Sequence, residues 1–252
     1  EIGAIFKKLG HSGAGVLVSL PRAKATCRYL KIPSKTAGEI DNIVSLQAAR
    51  YLPYPANELI TGYQMISMDK QGYSHINLAI VHRPLVERYI RIFKSLKADN
   101  LTIVLSSYGL ANLYNYIYPS AAETAMVIDI DLSQAEVIIV SGGKLIFSRS
   151  FRFNYHDANW QGLFLEELRR TLSAYNEEAS KEKPEKIFVS GIDNISGELI
   201  DALSRDSSLH VEQLDFKGRI GFAKAVSDVI SGCNYSLSGI LGLGLKEVED
   251  SL

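Results

Sequence analysis

The chain is short of the residues from which metal and redox sites are built. Of its 252 residues only Cys27 and Cys233 are cysteines. They form no C-x-x-C pair, so neither a disulfide framework nor a cysteine-held zinc is expected, and the usage fits a reducing compartment. The five histidines, His11, His75, His82, His156 and His210, make no H-E-x-x-H or H-x-x-x-H pair, which removes the usual histidine metal signature. No apolar run reaches the length of about 18 residues that a membrane span needs, and no secretory leader is expected. The formal net charge is −1, and no basic run exceeds Lys7-Lys8 or Arg169-Arg170. The electrostatic footprint of a general nucleic-acid binder is therefore missing. Ser190-Gly191 lies outside any G-x-S-x-G pattern, so it is no nucleophile elbow.

What is present is an alternating α/β pattern with ample apolar residues for a core. The length allows two compact units. Ile2, Ile5, Phe6 and Leu9 have helical spacing and end at Gly10. A strand of apolar type, Gly15 to Leu20, stops at Pro21. Residues 24–97 then read as a unit of their own: a strand Ala25 to Ile32, a helix Ala37 to Arg50, a hairpin Leu59 to Met68 with Ser74 to Val81, and a helix introduced by Pro84. The segment Tyr51-Leu-Pro-Tyr-Pro55 must stop the first of these helices, because proline disfavours helical geometry in the residue before it.

After residue 97 the pattern continues with a strand Leu101 to Leu105 and a helix Tyr108 to Ile117. Three strands follow in succession: Ala125 to Ile130, Ala135 to Val140 and Lys144 to Phe151. Gly142-Gly143 supplies the positive φ of the last hairpin. A long helix carries Trp160, Leu163, Phe164, Leu168, Leu172 and Tyr175. Lys186 to Ser190, Leu199 to Leu203, Val211 to Leu214 and Ile220 to Ile230 then alternate strand and helix, before a final helix Leu237 to Val248 with Gly239, Gly242 and Gly244. Three strands followed by helix, strand, helix, strand, helix is the order of an RNase H-like half of the actin fold. The expected fold class is α/β, actin-like, with a small inserted α+β domain. The first half matches the same order only if its three-strand meander lies upstream of Glu1. The expected division is 1–23 with 98–120 as part of the first half, 24–97 as the insert, and 121–252 as the second half.

Cys27-Arg-Tyr-Leu-Lys-Ile-Pro33, followed by Glu39 to Pro55 with its Gln47-Ala-Ala-Arg-Tyr-Leu-Pro-Tyr-Pro55 ending, resembles the inserted domain of the PilM family of type IV pilus assembly proteins. Tyr54 stands where that family commonly has phenylalanine. The resemblance extends to GspL-like cytoplasmic domains of type II secretion and to FtsA. It implies a cytoplasmic protein at the inner face of the bacterial inner membrane. It further implies a scaffold that holds the cytoplasmic tail of a PilN-like membrane protein and contacts an assembly ATPase. Membrane association would then be indirect or through a segment outside these residues, and homo-oligomers like those of FtsA stay open.

The resemblance also locates a nucleotide site, where an active member would hold ATP and magnesium. The second phosphate hairpin corresponds to Asp129-Ile-Asp-Leu-Ser133, and Asp131 replaces the family's glycine. Glycine lets backbone N–H groups approach a phosphate; a carboxylate repels it by about 4 kcal/mol at an effective dielectric near 20, against about 1 kcal/mol for one lost hydrogen bond. The adenosine turn corresponds to Ser190-Gly191-Ile-Asp-Asn194, where Ile192 and Asp193 replace further glycines. The vestigial site is thus Asp129, Asp131, Ser133, Gly191 and Asp193, with no catalytic residue, no cofactor and no metal expected; the alternative is an active ATPase using ATP and magnesium. For Asp129 and Asp131 the plainer reading is a strand-end turn bonded to its own backbone. For the three late glycines it is close packing of a helix on the sheet. Tyr51, Pro53, Tyr54 and Pro55 read as the border of a partner-binding groove or, equally, as a helix-ending turn. Peptides dock into such grooves or add to a strand edge.

Overall fold

The computed structural model describes residues 3–4, 15–98, 100–119, 123–178, 182–207, 209–216, 218–221 and 236–249, with backbone alone at 193–196 and 246–249. The helix expected over Ile2 to Gly10 lies outside these residues apart from helical Gly3 and Ala4. The element expected over Ile220 to Ile230, Cys233 and His11 lie outside them too, the element except for its first two residues.

Among the described residues ten strands form three sheets. β1 (Val16–Leu20) and β5 (Leu101–Leu105) run parallel in a two-stranded sheet. β2 (Thr26–Ile32), β3 (Leu59–Met68) and β4 (Ser74–His82) form an antiparallel sheet of order β2-β4-β3. Asp69 makes its hairpin turn: the carboxylate accepts the backbone N–H groups of Gln71 and Tyr73, and Gly72 takes φ +94°. Helix α1 (Ala37–Ala48) lays Ile40, Val44 and Ala48 on this sheet against Leu59, Ile76, Leu78 and Ile80. The opposite face of β3 sends Ile66 to Ile139, Ile146 and Phe147. Period-two alternation thus gives β3 two different partners. Helix α2 (Arg83–Ser95) starts with proline in its first turn and buries Phe93, as the missing N–H of proline allows.

The third sheet has the order β10-β9-β6-β7-β8, from β6 (Ala125–Ile130), β7 (Gln134–Ser141), β8 (Lys144–Arg152), β9 (Lys186–Gly191) and β10 (His210–Gln213). The first three strands are an antiparallel meander, and β9 and β10 join parallel to β6. Gly142 and Gly143 turn the β7–β8 hairpin at φ +53° and +73°. One sheet face is covered by α4 (Trp160–Glu178) and α5 (Asp193–Asp206), with Trp160, Phe164, Leu168, Leu199 and Leu203 in the core. Around Trp160 gather Phe153, Tyr155 and Phe164 at ring-centroid distances of 6.0, 5.2 and 6.4 Å. Helix α3 (Ser106–Ile117) covers the other face through Leu110, Leu113, Tyr114 and Ile117.

The last helix, α6 (Ser238–Glu249), packs chiefly on α3, with a smaller contact to β1 and Leu245 against the sheet core, where the expectation was close packing on the sheet. The reason is steric. A Cβ on Gly109 would stand 1.8 Å from the carbonyl oxygen of Gly239, and one on Gly242 would stand 1.8 Å from that of Gly109. The two helices meet backbone to backbone, so a glycine is needed on each side. Gly244 meets nothing within 4 Å and has no such role. Since the clashing atoms are main chain and have no rotamer to yield, Gly109→Ala is expected to destabilise the protein by about 3 kcal/mol or more, with Gly244→Ala as a near-neutral control. Urea unfolding of both variants checks this.

Candidate functional site

Two cavities flank the short connection from β1 to β2. The first is a polar cleft of about 210 Å³. Ser19, Pro21 and Arg22 form one wall; Asp129 and Asp131 at the end of β6, Glu136 on β7, Ser106 at the start of α3 and Ser236 close it. Asp129 and Glu136 are direct register partners on β6 and β7, so both carboxyls leave the sheet on the same face. Asp129 Oδ1 accepts the hydroxyls of Ser190 at 2.6 Å and Ser236 at 2.7 Å. Burial nevertheless pushes its carboxyl above the ordinary range, and the nearby Asp131 adds to the effect. Glu136 Oε2 accepts the Ser106 hydroxyl at 2.5 Å, while Ser106 Oγ accepts the backbone N–H of Arg22 at 2.9 Å. Its Oε1 is buried without a hydrogen-bond partner among the described residues, and Ser107 Oγ leans toward the carboxyl without completing a bond. Burial first, and then the Asp129 carboxyl, raise Glu136 to about 7.

Arg22 is 8% exposed. Its guanidinium donates to Ser148 Oγ at 2.8 Å, to the Ser148 carbonyl at 2.7 Å and to the Ala25 carbonyl at 2.7 Å. These neutral acceptors fix the β1–β2 connection onto β8.

Of the five residues read as a vestigial nucleotide site, the cleft takes in two, Asp129 and Asp131. Asp131 is a strand-end turn residue: its carboxylate accepts the Leu132 N–H and its own N–H meets the Gln134 carbonyl. Asp129 differs, since its partners are side-chain hydroxyls of distant residues. Ser133 is exposed, and its carbonyl accepts the Phe153 N–H. Gly191 sits at φ +111° with the carbonyl oxygen of Ile130 only 2.0 Å from where a Cβ would stand. Its glycine is required by the close approach of β6. Asp193 opens α5, and its side chain lies outside the described residues. Arg22, Ser106, Glu136 and Ser236 escaped sequence reasoning. The one available signal was Glu136, a charge inside the apolar run Ala135 to Val140.

The second cavity is an apolar groove of about 460 Å³ between the outer edges of β3 and β5. Ile60, Gly62 and Gln64 line it on one side and Ile103 to Leu105 on the other, with Leu20, Val81, Val86 and Tyr108 as its floor and ends. Gln64 Oε1 is buried there without a hydrogen-bond partner among the described residues. A Cβ on Gly62 would meet nothing within 4 Å. Tyr51, Pro53, Tyr54 and Pro55 do not line this groove. Tyr51 packs under Arg28 against the α1 core, with the guanidinium 5.5 Å from its ring centroid. Pro53 and Pro55 are exposed, and Tyr54, 39% exposed, stacks on His82 at 4.1 Å.

The sheet orders and the cleft between them define an actin-like α/β protein, and a Bacteroides thetaiotaomicron protein with actin-like ATPase fold and unknown function superposes with TM-score 0.53. It is 11% identical over 92% of this chain and 80% of that one. The family of type IV pilus assembly protein PilM matches residues 1–194, and the chain belongs to that family. The solved PilM-PilN type IV pilus biogenesis complex superposes with TM-score 0.76 at 15% identity, covering 97% of this chain and 83% of that chain. A weaker likeness, at TM-score 0.49 and 10% identity over 74% of this chain and 65% of that one, is to the cytoplasmic domain of EpsL, an inner membrane component of the Vibrio cholerae type II secretion system. No curated protein sequence matches the chain. Among the described residues no helix is long and apolar enough to cross a membrane, and no group of three or more His, Cys, Asp or Glu could hold a metal ion.

The raised Glu136 carboxyl fixes a pH dependence. The unfolded chain ionises this group at its ordinary value near 4.5, and the folded chain only at about 7. Stability from this group is therefore full below pH 4.5, falls as pH rises toward 7, and is flat beyond. Glu136→Gln keeps an acceptor for Ser106 and removes the titration. The variant is expected to gain on the wild type by up to about 3 kcal/mol at pH 8, with the gain shrinking toward pH 4.5. Denaturation at a series of pH values measures it.

Proposed function

We propose that this protein is a non-catalytic cytoplasmic scaffold at the inner-membrane platform of a type IV pilus or type II secretion system. In this role it holds the cytoplasmic tail of a PilN-like membrane protein. The observation that carries the reading is the groove between β3 and β5. Two strand edges left unpaired among the described residues face each other across an apolar floor, and a buried acceptor on Gln64 awaits an N–H. An extended peptide satisfies all three at once by adding a strand and filling the trough. The partnership in the superposing PilM-PilN complex agrees with such an occupant.

On this reading residues 24–97 form an inserted domain, 1–23 with 98–120 belong to the first actin-like half, and 121–252 to the second. The cleft is then a relic of the nucleotide site. ATP with magnesium fits its residues poorly. Asp129, Asp131 and Glu136 all line it, and a polyanion would meet three acidic groups around one cation, Arg22, whose guanidinium is already held by Ser148 and Ala25. Magnesium prefers ionised carboxylates with room for water, whereas burial favours the protonated form of Asp129. Calorimetry with ATP and magnesium is expected to show no micromolar binding. Tyr54 offers an exposed aromatic face for a further contact beyond the groove, flanked by Pro53 and Pro55 and seated on His82.

Titration of a synthetic tail of the neighbouring PilN-like protein tests the scaffold role, with Gly62→Trp as the blocking variant. The open space at Gly62 lets the indole enter the groove without displacing the fold. The peptide is expected to bind the wild type and to bind the variant at least about tenfold more weakly, with an unchanged melting temperature. Absence of binding to the full-length protein at low salt overturns the reading.

A further inference from the structure

Helix α2 balances its charges differently from the long helix α4. In α4, Arg170 pairs with Glu166 and Glu167, and Arg169 reaches Asp206 at the end of α5. The outer face of α2 carries Arg88, Arg91 and Lys94, all exposed, with Glu87 the single acid of the helix. At 3.6 residues per turn these three cations fall within an arc of about 120° and along about 9 Å of axis. Exposed Lys97 continues the line beyond the helix end. None of the four makes an ion pair among the described residues. Arg83 is different, since its guanidinium holds the carbonyls of Asn57 and Leu59. The opposite side of α2 is committed to the interior through Val86, Tyr89, Phe93 and neighbouring Leu96. The basic face cannot turn inward.

Its place in the fold gives that face a direction. Val86 of the same helix lines the groove between β3 and β5, so α2 borders the groove with its inner side while the cations, centred on Arg91 about 140° round the helix, face outward beside it. If the groove holds the tail of a membrane protein, as proposed above, the other end of that tail lies in a bilayer, and the outer face of α2, one helix width (~10 Å) from the groove, is brought within reach of its surface. We propose that the Arg88–Arg91–Lys94 face of α2 docks on anionic lipid headgroups of the membrane in which that tail is anchored. The inference rests on the groove reading for its direction and on the charge of α2 for its chemistry. An acidic protein is the lesser fit. Protein interfaces centre on apolar or aromatic anchors, and the arc around Arg91 offers only Pro84, Glu87 and Ser95 besides the cations. Headgroup phosphates need no such anchor, and arginine meets them with paired N–H donors. In a chain of net charge −1, this concentration is invisible to average composition.

Co-sedimentation with vesicles distinguishes the cases. The full-length protein is mixed with vesicles of phosphatidylcholine alone, or with a third of phosphatidylglycerol, each with and without a lipid-anchored PilN-like tail peptide. The expected result is pelleting that requires phosphatidylglycerol, weakens steeply between 50 and about 200 mM salt, and is strengthened by the anchored tail. The variant Arg88→Gln, Arg91→Gln, Lys94→Gln is expected to bind the anionic vesicles about a hundredfold more weakly. Its melting temperature and its affinity for the soluble peptide stay those of the wild type. That unchanged affinity separates this test from the groove's own, because failure of the groove would show in solution without any vesicle. Equal pelleting with both lipids, no loss in the triple variant, or capture of an acidic protein without vesicle binding overturns the proposal.

Discussion

The contact between the main chains of α3 and α6 is the constraint from which both cavities hang. Gly109 meets Gly239 and Gly242 with no side chain between them. That contact fixes the outer side of α3 while Leu110, Leu113 and Tyr114 fix its inner side on the five-stranded sheet. A helix held on both sides cannot shift, and the residues at its start inherit that rigidity. Ser106 reaches into the cleft and bonds Glu136; Leu105 and Tyr108 face the groove. One short stretch of chain is therefore wall to two cavities of opposite character.

The β1 strand repeats the arrangement. Ser19 lines the cleft and Leu20 the groove, as the alternation of a strand requires. Arg22 then pins the connection to β8 by bonds to neutral acceptors. A buried guanidinium without a carboxylate partner is ordinarily costly, but here Ser148 and Ala25 satisfy three of its N–H groups. The polar cleft and the apolar groove are set side by side by this single crossing.

Much of the fold could be read from the sequence, because its signals were local. The Asp69 turn, the Gly142-Gly143 hairpin and the proline at the start of α2 are each decided by a few neighbouring residues, and the strands around them fell within one or two positions of expectation. The partner of α6 was not readable. Glycines at 239 and 242 announce a close approach without saying to what, and the answer lies at Gly109, more than a hundred residues away. The candidate site divided in the same manner. Asp131 showed its turn chemistry in its own neighbours. Asp129 could not show that Ser190 and Ser236 would bond it, and Gly191 is fixed by Ile130 across the sheet. The groove was hardest of all. Ile60, Gly62, Ile103 and Leu105 are ordinary strand residues, and only the meeting of two unpaired edges makes them a surface.

The aromatic nest on the α4 side of the large sheet has an optical consequence. Trp160 is the single tryptophan of the chain and is buried there among Phe153, Tyr155 and Phe164. Its emission reports on the packing of α4 against that sheet and is silent about β2, β3, β4 and the groove. Loosening of the smaller sheet would leave the indole in the same surroundings, so fluorescence and circular dichroism would part company wherever the two sheets melt separately. The molecule carries a lamp in one room only, and darkness in the other is not visible by it.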